Sequence, residues 1–593
     1  MSQGPSTPLV ESPSKDEATV ADDSSKAPSR AVTITHWLTL ACALVVLLVV
    51  NRHSWFFADE FDFYNRITSP QTASTWFLPH NEHWSTVPLA IFWVLFHFVQ
   101  LHSYWPYITT LILIHLALVH LVWRLMLRIG VSGWISTGAA TILAVLGAGA
   151  TNLTWAFQMG FVLSVLFGVW AVTVADNTDP WSGKRLAAVW LLACLSLASS
   201  GIGVPMLVGI CIVVLVRRGI RFTLIAASVP VVIYAAWYLS YGHKGVSHVD
   251  QVTVTKLVHI PSYVWSGMTN ALRETSGVPG AGAVLVIALL AYAIWKIRTG
   301  GGPTLPAYAT LTAGIFALAF ISLARGQFGA TQAATPRYVY IEAMLFTPMA
   351  ALGAQEVMRR WRTAGALLVT GAALFVLGNN VYLLWNFTAP GSAFDALEQP
   401  FHADLLGAAQ LVGTHAVIIG KGIPELGDAP QTSGPFRGDF TLPVTLISKW
   451  TEDGDLSSRS ANPSGLLAAQ LFLQTKITQS PIYPVYPFRT NNPSANSGAT
   501  QVVRSKGAIR QGSCFVIPHG AELTLRTTRP TSLGVDGLPT STTTLSLLSG
   551  TGFSGPGLLL SSSPRRAYVD MSRTGALTIA NYFGSNVSVC SVS

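Results

Sequence analysis

Apolar runs close to twenty residues long recur through most of this chain, and no other feature limits its fold as strongly. A helix of about twenty apolar residues matches the hydrocarbon thickness of a bilayer. The first such run covers residues 32–51. Others follow near 86–101, 105–123, 131–150, 155–175, 186–201, 203–216, 222–240, 281–297, 304–323, 338–356 and 363–385. Charged residues make up 11% of the 593, and 50% are hydrophobic. A soluble chain carries about a quarter charged residues. The prediction is an α-helical polytopic membrane protein.

Basic residues sit in short groups between the runs: Arg124/Arg128, Lys184/Arg185, Arg217/Arg218/Arg221, Lys296/Arg298 and Arg359/Arg360/Arg362. Positive charge collects on the cytoplasmic side of membrane helices. Lys26 and Arg30 therefore place the N-terminus inside, and the Arg359–Arg362 group sends the last run outward. The loops at 241–280 and 324–337 then lie outside. An inside N-terminus and an outside C-terminal part require an odd number of spans, so about eleven to thirteen are expected. The stretches 86–128 and 186–218 decide between them. The net charge of +9 comes without any Lys/Arg run interleaved with aromatics. That pattern argues against nucleic acid and for membrane lipids as partners.

Three regions are expected. Residues 1–31 are rich in Ser, Pro, Asp, Glu and Lys and read as a disordered cytoplasmic tail. The run after them has no small-residue cleavage site before its polar flank and reads as a retained anchor. Residues 32–385 form the membrane domain, with an outer loop at 52–85. Residues 386–593 form an extracytoplasmic domain. Within it, 392–480 reads as mixed α/β with a strand at Ala416–Gly420. Residues 500–593 alternate short β-rich runs with turns, the pattern of a β-sandwich. Cys42, Cys194 and Cys211 lie in apolar runs as packing residues. Cys514 and Cys590 lie in the polar C-terminal part, as one disulfide or as two separate thiols. An outer, oxidising location favours the disulfide.

Four stretches carry candidate chemistry. In WFFADEFDFYNR, Asp59, Glu60 and Asp62 crowd just beyond the first span. An ionised carboxylate there can take a proton from a sugar hydroxyl, or simply be a solvated interfacial acid. Its flanking rings, Trp55, Phe56, Phe57, Phe61, Phe63 and Tyr64, suit a headgroup layer or a sugar face. In LPHNEHWSTVP, residues His80, Asn81, Glu82 and His83 suit hydrogen bonding to an acceptor substrate. A divalent metal at His80, Glu82 and His83 stays open, although two histidines and one acid are a sparse ligand set. No other cofactor is called for. In ARGQFGATQAATPRYVYIE, Arg325 and Arg337 are cations beside apolar runs. The guanidinium fork fits a phosphate, with Tyr338 and Tyr340 adding a hydroxyl or a ring. The competing role is anchoring of two helix ends. In TNLTWAFQMGF, Asn152, Trp155 and Gln158 fall on one helical face, where hydrogen bonding between helices is the plainer role.

The order of these features resembles the GT-C superfamily of membrane glycosyltransferases. An acidic pair, Asp59-Glu60, follows the first span, and a long outer loop comes next. The helix VPLAIFWVLFHFVQL follows, then a helix ending in LVWRLMLRIG, then the broken pair around SSGIGVPML. The bacterial lipid A aminoarabinose and protein mannosyl branches run through a similar series. The resemblance covers about residues 32–385. It implies a polyprenyl-phosphate-linked sugar as donor and a glycan, lipid or protein as acceptor at the outer face. It implies Asp59 as the catalytic carboxylate, Glu60 as its partner and Arg337 as a contact to lipid phosphate. Where relatives carry Lys-Pro-Pro, this chain has Thr86-Val87-Pro88, so its phosphate contacts would fall to arginines. The C-terminal β region resembles the carbohydrate-binding appendages of actinobacterial cell-wall arabinosyl- and mannosyltransferases.

Two other functions compete. A flippase or transporter of lipid-linked saccharide predicts internal repeats and charges near the midplane. No repeat is evident, and the acids gather at one interface. A non-enzymatic envelope-assembly protein accounts for an outer β domain but not for Asp59, Glu60 and Arg337.

Overall fold

The computed structural model describes residues 28–177, 181–244, 254–299, 304–325, 329–390, 392, 394–424, 441–456, 463–478, 483, 500–536, 546–549, 558–559, 566–572, 575–581 and 586–590. The expected polar tail falls almost wholly outside them. In chain order the helices are α1 (Arg30–Val50), α2 (Glu60–Thr68), α3 (Ala73–Phe77), α4 (Thr86–Val99), α5 (Trp105–Arg128), α6 (Gly133–Ala144), α7 (Thr151–Thr154), α8 (Met159–Ala175), α9 (Gly183–Leu197), α10 (Gly203–Arg218), α11 (Ile220–Ser240), α12 (Val254–Ser276), α13 (Gly282–Thr299), α14 (Leu305–Arg325), α15 (Pro336–Thr388), α16 (Asp395–Gly413), α17 (Val444–Glu452) and α18 (Pro463–Gln474).

Among the described residues, seven helices are long and apolar enough to cross a membrane. The chain is a multi-pass membrane protein. One of the seven, α15, is two helices broken at Arg362, whose φ of 42° and ψ of −118° are not helical. The break falls in the Arg359–Arg362 group that separates two apolar runs in the sequence. The apolar runs at 131–150, 186–201 and 203–216 give the shorter helices α6, α9 and α10.

The chain forms two compact units. The first comprises residues 1–52, 72–90 and 108–387; the second comprises 53–71, 91–107 and 388–593. The expected outer loop at 52–85 is therefore shared out between them.

The first unit is a helical bundle. Its centre is α8, with most of its length buried against α9 and α10. Small residues let backbones approach where apolar solvent offers no hydrophobic drive. A Cβ on Gly168 would lie 2.5 Å from the Met206 side chain, and one on Gly209 would lie 2.9 Å from the Ala309 carbonyl. Helices α11 and α13 leave Leu224, Val232, Leu239, Val284 and Ile287 exposed, the outward apolar faces a lipid-facing helix needs. At one end of the bundle three helix ends meet. Asp176, just past α8, is 2.8 Å from Arg217 of α10 and 3.8 Å from Arg128 of α5. Burial raises the Asp176 pKa, and the bond and charge of Arg217 and the charge of Arg128 oppose that shift.

The second unit has a helical part and a β part. Helix α16 packs along α18 and α17. The strands are β1 (Gly422–Pro424), β2 (Thr441–Pro443), β3 (Thr475–Thr478), β4 (Thr500–Lys506), β5 (Ile509–Gln511), β6 (Cys514–Ile517), β7 (Ala521–Thr527), β8 (Thr531–Asp536), β9 (Ser546–Ser549), β10 (Leu558–Leu559), β11 (Arg566–Met571), β12 (Gly575–Asn581) and β13 (Val587–Cys590). Two antiparallel sheets run β10-β9-β12-β7-β4 and β3-β11-β8-β13-β6-β5. Their inner faces share Ile517, Leu523, Leu525, Val535, Val569, Leu577, Ile579 and Val589, all fully buried. Alternation is clear along β7, where Leu523 and Leu525 face the core and Arg526 is exposed. Cys514 and Cys590 are directly paired across β6 and β13 and joined by a disulfide.

Two sequence expectations are corrected here. Ala416–Gly420 is not a strand. The strand lies just beyond it at β1, and Ile419 and Gly420 instead donate to the Leu473 carbonyl. The sheet also begins earlier than residue 500, because β3 pairs with β11.

Candidate functional site

The acid loop belongs to the second unit. Its chain turns at Ala58, which takes a left-handed φ of 47°. Asp59 then stands at the N-cap of α2 and is partly exposed. Glu60 is fully buried. Its Oε2 accepts from the Phe57 backbone N–H at 2.9 Å, and its Oε1 accepts from the Tyr104 hydroxyl at 3.0 Å. That arrangement closes the turn by holding the backbone two residues before Asp59. Asp62 pairs with Arg66 one turn along α2 at 3.0 Å. Glu60 and Asp62 hold local structure, and Asp59 sits at a helix N-terminus, where an anion is favoured.

The aromatic residues around them do not form the exposed belt that the sequence suggested. Phe56, Phe57, Phe61, Phe63 and Tyr64 are all buried. Phe56 packs edge-on to Tyr64, Tyr104 and Tyr107 at 4.9–5.3 Å between centroids. Phe61 meets Phe401 at 5.3 Å and Trp450 at 6.0 Å. Trp55 stacks on His402 at 3.7 Å. These rings build a core under the acids, each worth about 1.5–3 kcal/mol of burial. The partners contributed by residues 388–452 are invisible locally, because sequence distance hides them.

The first unit gathers the other candidates. Residues 80–83 form a tight turn in which the His80 and His83 backbones bond reciprocally, at 3.0 and 2.9 Å. Asn81 supplies the left-handed corner, with φ 50°. Glu82 forms an ion pair with Arg325 at 2.8 Å. His83 Nδ1 accepts from the Gly201 backbone N–H at 3.3 Å, which leaves the proton on Nε2. Burial, aided by the charges of Arg325, His80 and Arg337 and opposed by Glu82, lowers the His83 pKa to about 4. The ring is therefore neutral near pH 7. Gly201 comes from the SSGIGVP break between α9 and α10, so that break seats the histidine. The rings of His80 and His83 lie edge-on to Phe157 and Phe161, at 4.9 and 5.4 Å.

Arg337 opens α15. Its guanidinium lies 5.3 Å from the Tyr338 ring, and its buried Nε has no hydrogen-bond partner among the described residues. Tyr263 of α12 was not singled out by its sequence. It is 2% exposed, its hydroxyl is also without a partner, and it lies within electrostatic reach of Tyr338, Arg337 and Arg325. Two cations, one acid, two phenols and a neutral imidazole thus gather in one unit. The set carries one net positive charge and donors free for an anion. Tyr340 is placed elsewhere, bonding His115 Nδ1 at 2.8 Å.

The metal option finds no support in this geometry. The His83 Nδ1 and Glu82 Oε1 lone pairs are engaged by Gly201 and Arg325. Among the described residues no group of three His, Cys, Asp or Glu side chains is arranged to hold an ion. Asn152, Trp155 and Gln158 do not share a helical face either. The backbone leaves the helix at Trp155, with φ −123° and ψ 111°, and a short 3₁₀ turn follows. Both carboxamides are fully buried without hydrogen-bond partners among the described residues.

No protein-family model matches the chain, and no curated protein does. Among solved structures it is similar to ArnT from Cupriavidus metallidurans bound to undecaprenyl phosphate. The identity is 12%, the match covers 74% of this chain and 92% of that one, and the TM-score is 0.42.

Proposed function

We propose that this protein is an inverting membrane glycosyltransferase that moves a sugar from a polyprenyl-phosphate donor to a cell-envelope glycan, lipid or protein at the outer face. The observation that carries this reading is the Arg325–Arg337 cluster. Glu82 balances one guanidinium, and Arg337 keeps a buried, unpartnered Nε, with its guanidinium near the Tyr338 ring and within electrostatic reach of Tyr263. A buried cation with open donors calls for an anionic ligand, and at membrane depth a lipid phosphate supplies one.

The chemistry assigns one role to each group. The acceptor hydroxyl oxygen attacks the anomeric carbon, and the bond from that carbon to the phosphate oxygen breaks. The electron pair leaves with the phosphate, whose second charge the Arg337 and Arg325 guanidiniums stabilise. The hydroxyl proton goes to Asp59. Glu60 holds the turn that presents Asp59.

Binding tests the anion assignment directly. Purified wild-type protein is expected to bind a polyprenyl phosphate, and Arg337→Ala to bind it about 10- to 100-fold more weakly, the loss of a charged hydrogen bond worth about 1.5–3 kcal/mol. Equal affinity in the two proteins would remove Arg337 from the site.

A further inference from the structure

Helix α16 follows the last apolar run, yet it lies against the loop that carries Asp59. The Glu398 carboxylate accepts from the Trp55 backbone N–H, and Glu398 is 3% exposed. His402, one turn further along, stacks on the Trp55 ring. Gln399 donates to the His53 carbonyl at 3.2 Å. Three residues separate Trp55 from Asp59, and the last of them is Ala58 with its left-handed φ. An alanine in that conformation costs about 1 kcal/mol or more, so it persists only where the chain is fixed on both sides. Glu60 fixes the near side through the Phe57 N–H. Two residues earlier, at Trp55, and again at His53, the contacts come from α16.

We propose that Glu398, with His402, is a positioning residue for the Asp59 loop, so that the helical part of the C-terminal region completes the catalytic apparatus. This rests on Asp59 being the base; the clamp itself does not. An appendage that only binds carbohydrate would have no need to seat a backbone N–H so close to the acid pair. A carboxyl or carboxamide oxygen at 398 can accept from Trp55, whereas an alkyl side chain cannot.

Hydrogen exchange on the full chain in detergent, read by mass spectrometry, tests the clamp without assuming any reaction. In Glu398→Leu, exchange at residues 53–64 should rise at least tenfold while the strands β7 and β12 keep wild-type rates. Glu398→Gln should keep wild-type exchange throughout. In transfer assays Glu398→Leu should lower kcat with little change in donor KM, and Glu398→Gln should restore it. Unchanged exchange at 53–64 in Glu398→Leu would overturn the proposal. So would a rise spread equally over β7 and β12, since Glu398 would then merely keep the region folded. Asp59→Asn separates this result from the reading it rests on. Transfer that survives in Asp59→Asn removes the base and leaves the exchange result to judge the clamp.

Discussion

Gly201 shows how much of the site depends on single atoms. A Cβ there would lie 2.8 Å from His83 Nδ1, the atom that its own backbone N–H bonds. Gly201→Ala is expected to destabilise the protein by about 1–3 kcal/mol through overpacking and to displace His83. A thermal melt should show a drop of several degrees, and an unchanged melt would mean that the histidine moves aside freely. At this scale the sequence was readable where residue type alone implies chemistry. Arg325, Arg337, Glu82 and His83 stood out as charged or polar groups beside apolar runs, and they do assemble. Tyr263 did not, because a tyrosine in an amphipathic stretch carries no mark of the arginines it will face. The resemblance assigned Asp59 and Glu60 different roles, but the two adjacent acids carry no local mark of different burial. Only the turn at Ala58 separates a partly exposed carboxylate from a buried one that holds the backbone.

Among the elements, α16 combines buried acids that make it sensitive to pH. Burial, opposed by the Trp55 N–H and aided by Asp395, raises Glu398 to about 8, and burial raises Asp404 to about 7. Both values lie above those of an unfolded chain, so the folded state holds these protons more tightly. The stability they give is full below about pH 4 and is lost as pH rises through 7 and 8. Stability of the full chain should therefore fall between pH 5 and 9, by several kcal/mol in all, and its melts with it. The double variant Glu398→Gln, Asp404→Asn should flatten that slope, and a slope of opposite sign would contradict the account. The break in α15 makes a second test. Arg362 has a positive φ that glycine adopts freely, so Arg362→Gly should raise stability by about 1 kcal/mol. A lowered melt would show that the arginine's charge matters more than its backbone. Apolar length revealed most of the helices in the sequence. The strands β5, β8, β10 and β13 are short or interrupted by Ser and Gly, and pairing partners rather than local pattern define them.

For the whole molecule, the two-unit division was not legible, because residues 53–71 and 91–107 join a unit whose remainder starts at 388. Such joining rests on aromatic contacts between distant segments, such as Phe61 with Phe401 and Trp450. The disulfide ties the β part together across a separation of 76 residues. Chain-entropy reasoning assigns about 4 kcal/mol to a loop of that length. Cys514→Ser with Cys590→Ser should therefore lower the melting of the sandwich strongly, as followed by exchange in β7 and β12. An unaltered sandwich would show that its core suffices.

The central claim is sugar transfer with Asp59 as base. Membranes carrying wild-type or Asp59→Asn protein at matched levels would be given labelled polyprenyl-phosphate sugars. The account predicts transfer by wild type and a fall of about two to four powers of ten in the variant. Full transfer by Asp59→Asn would contradict the assignment of the base, and no transfer from any such donor by folded wild-type protein would contradict the enzyme.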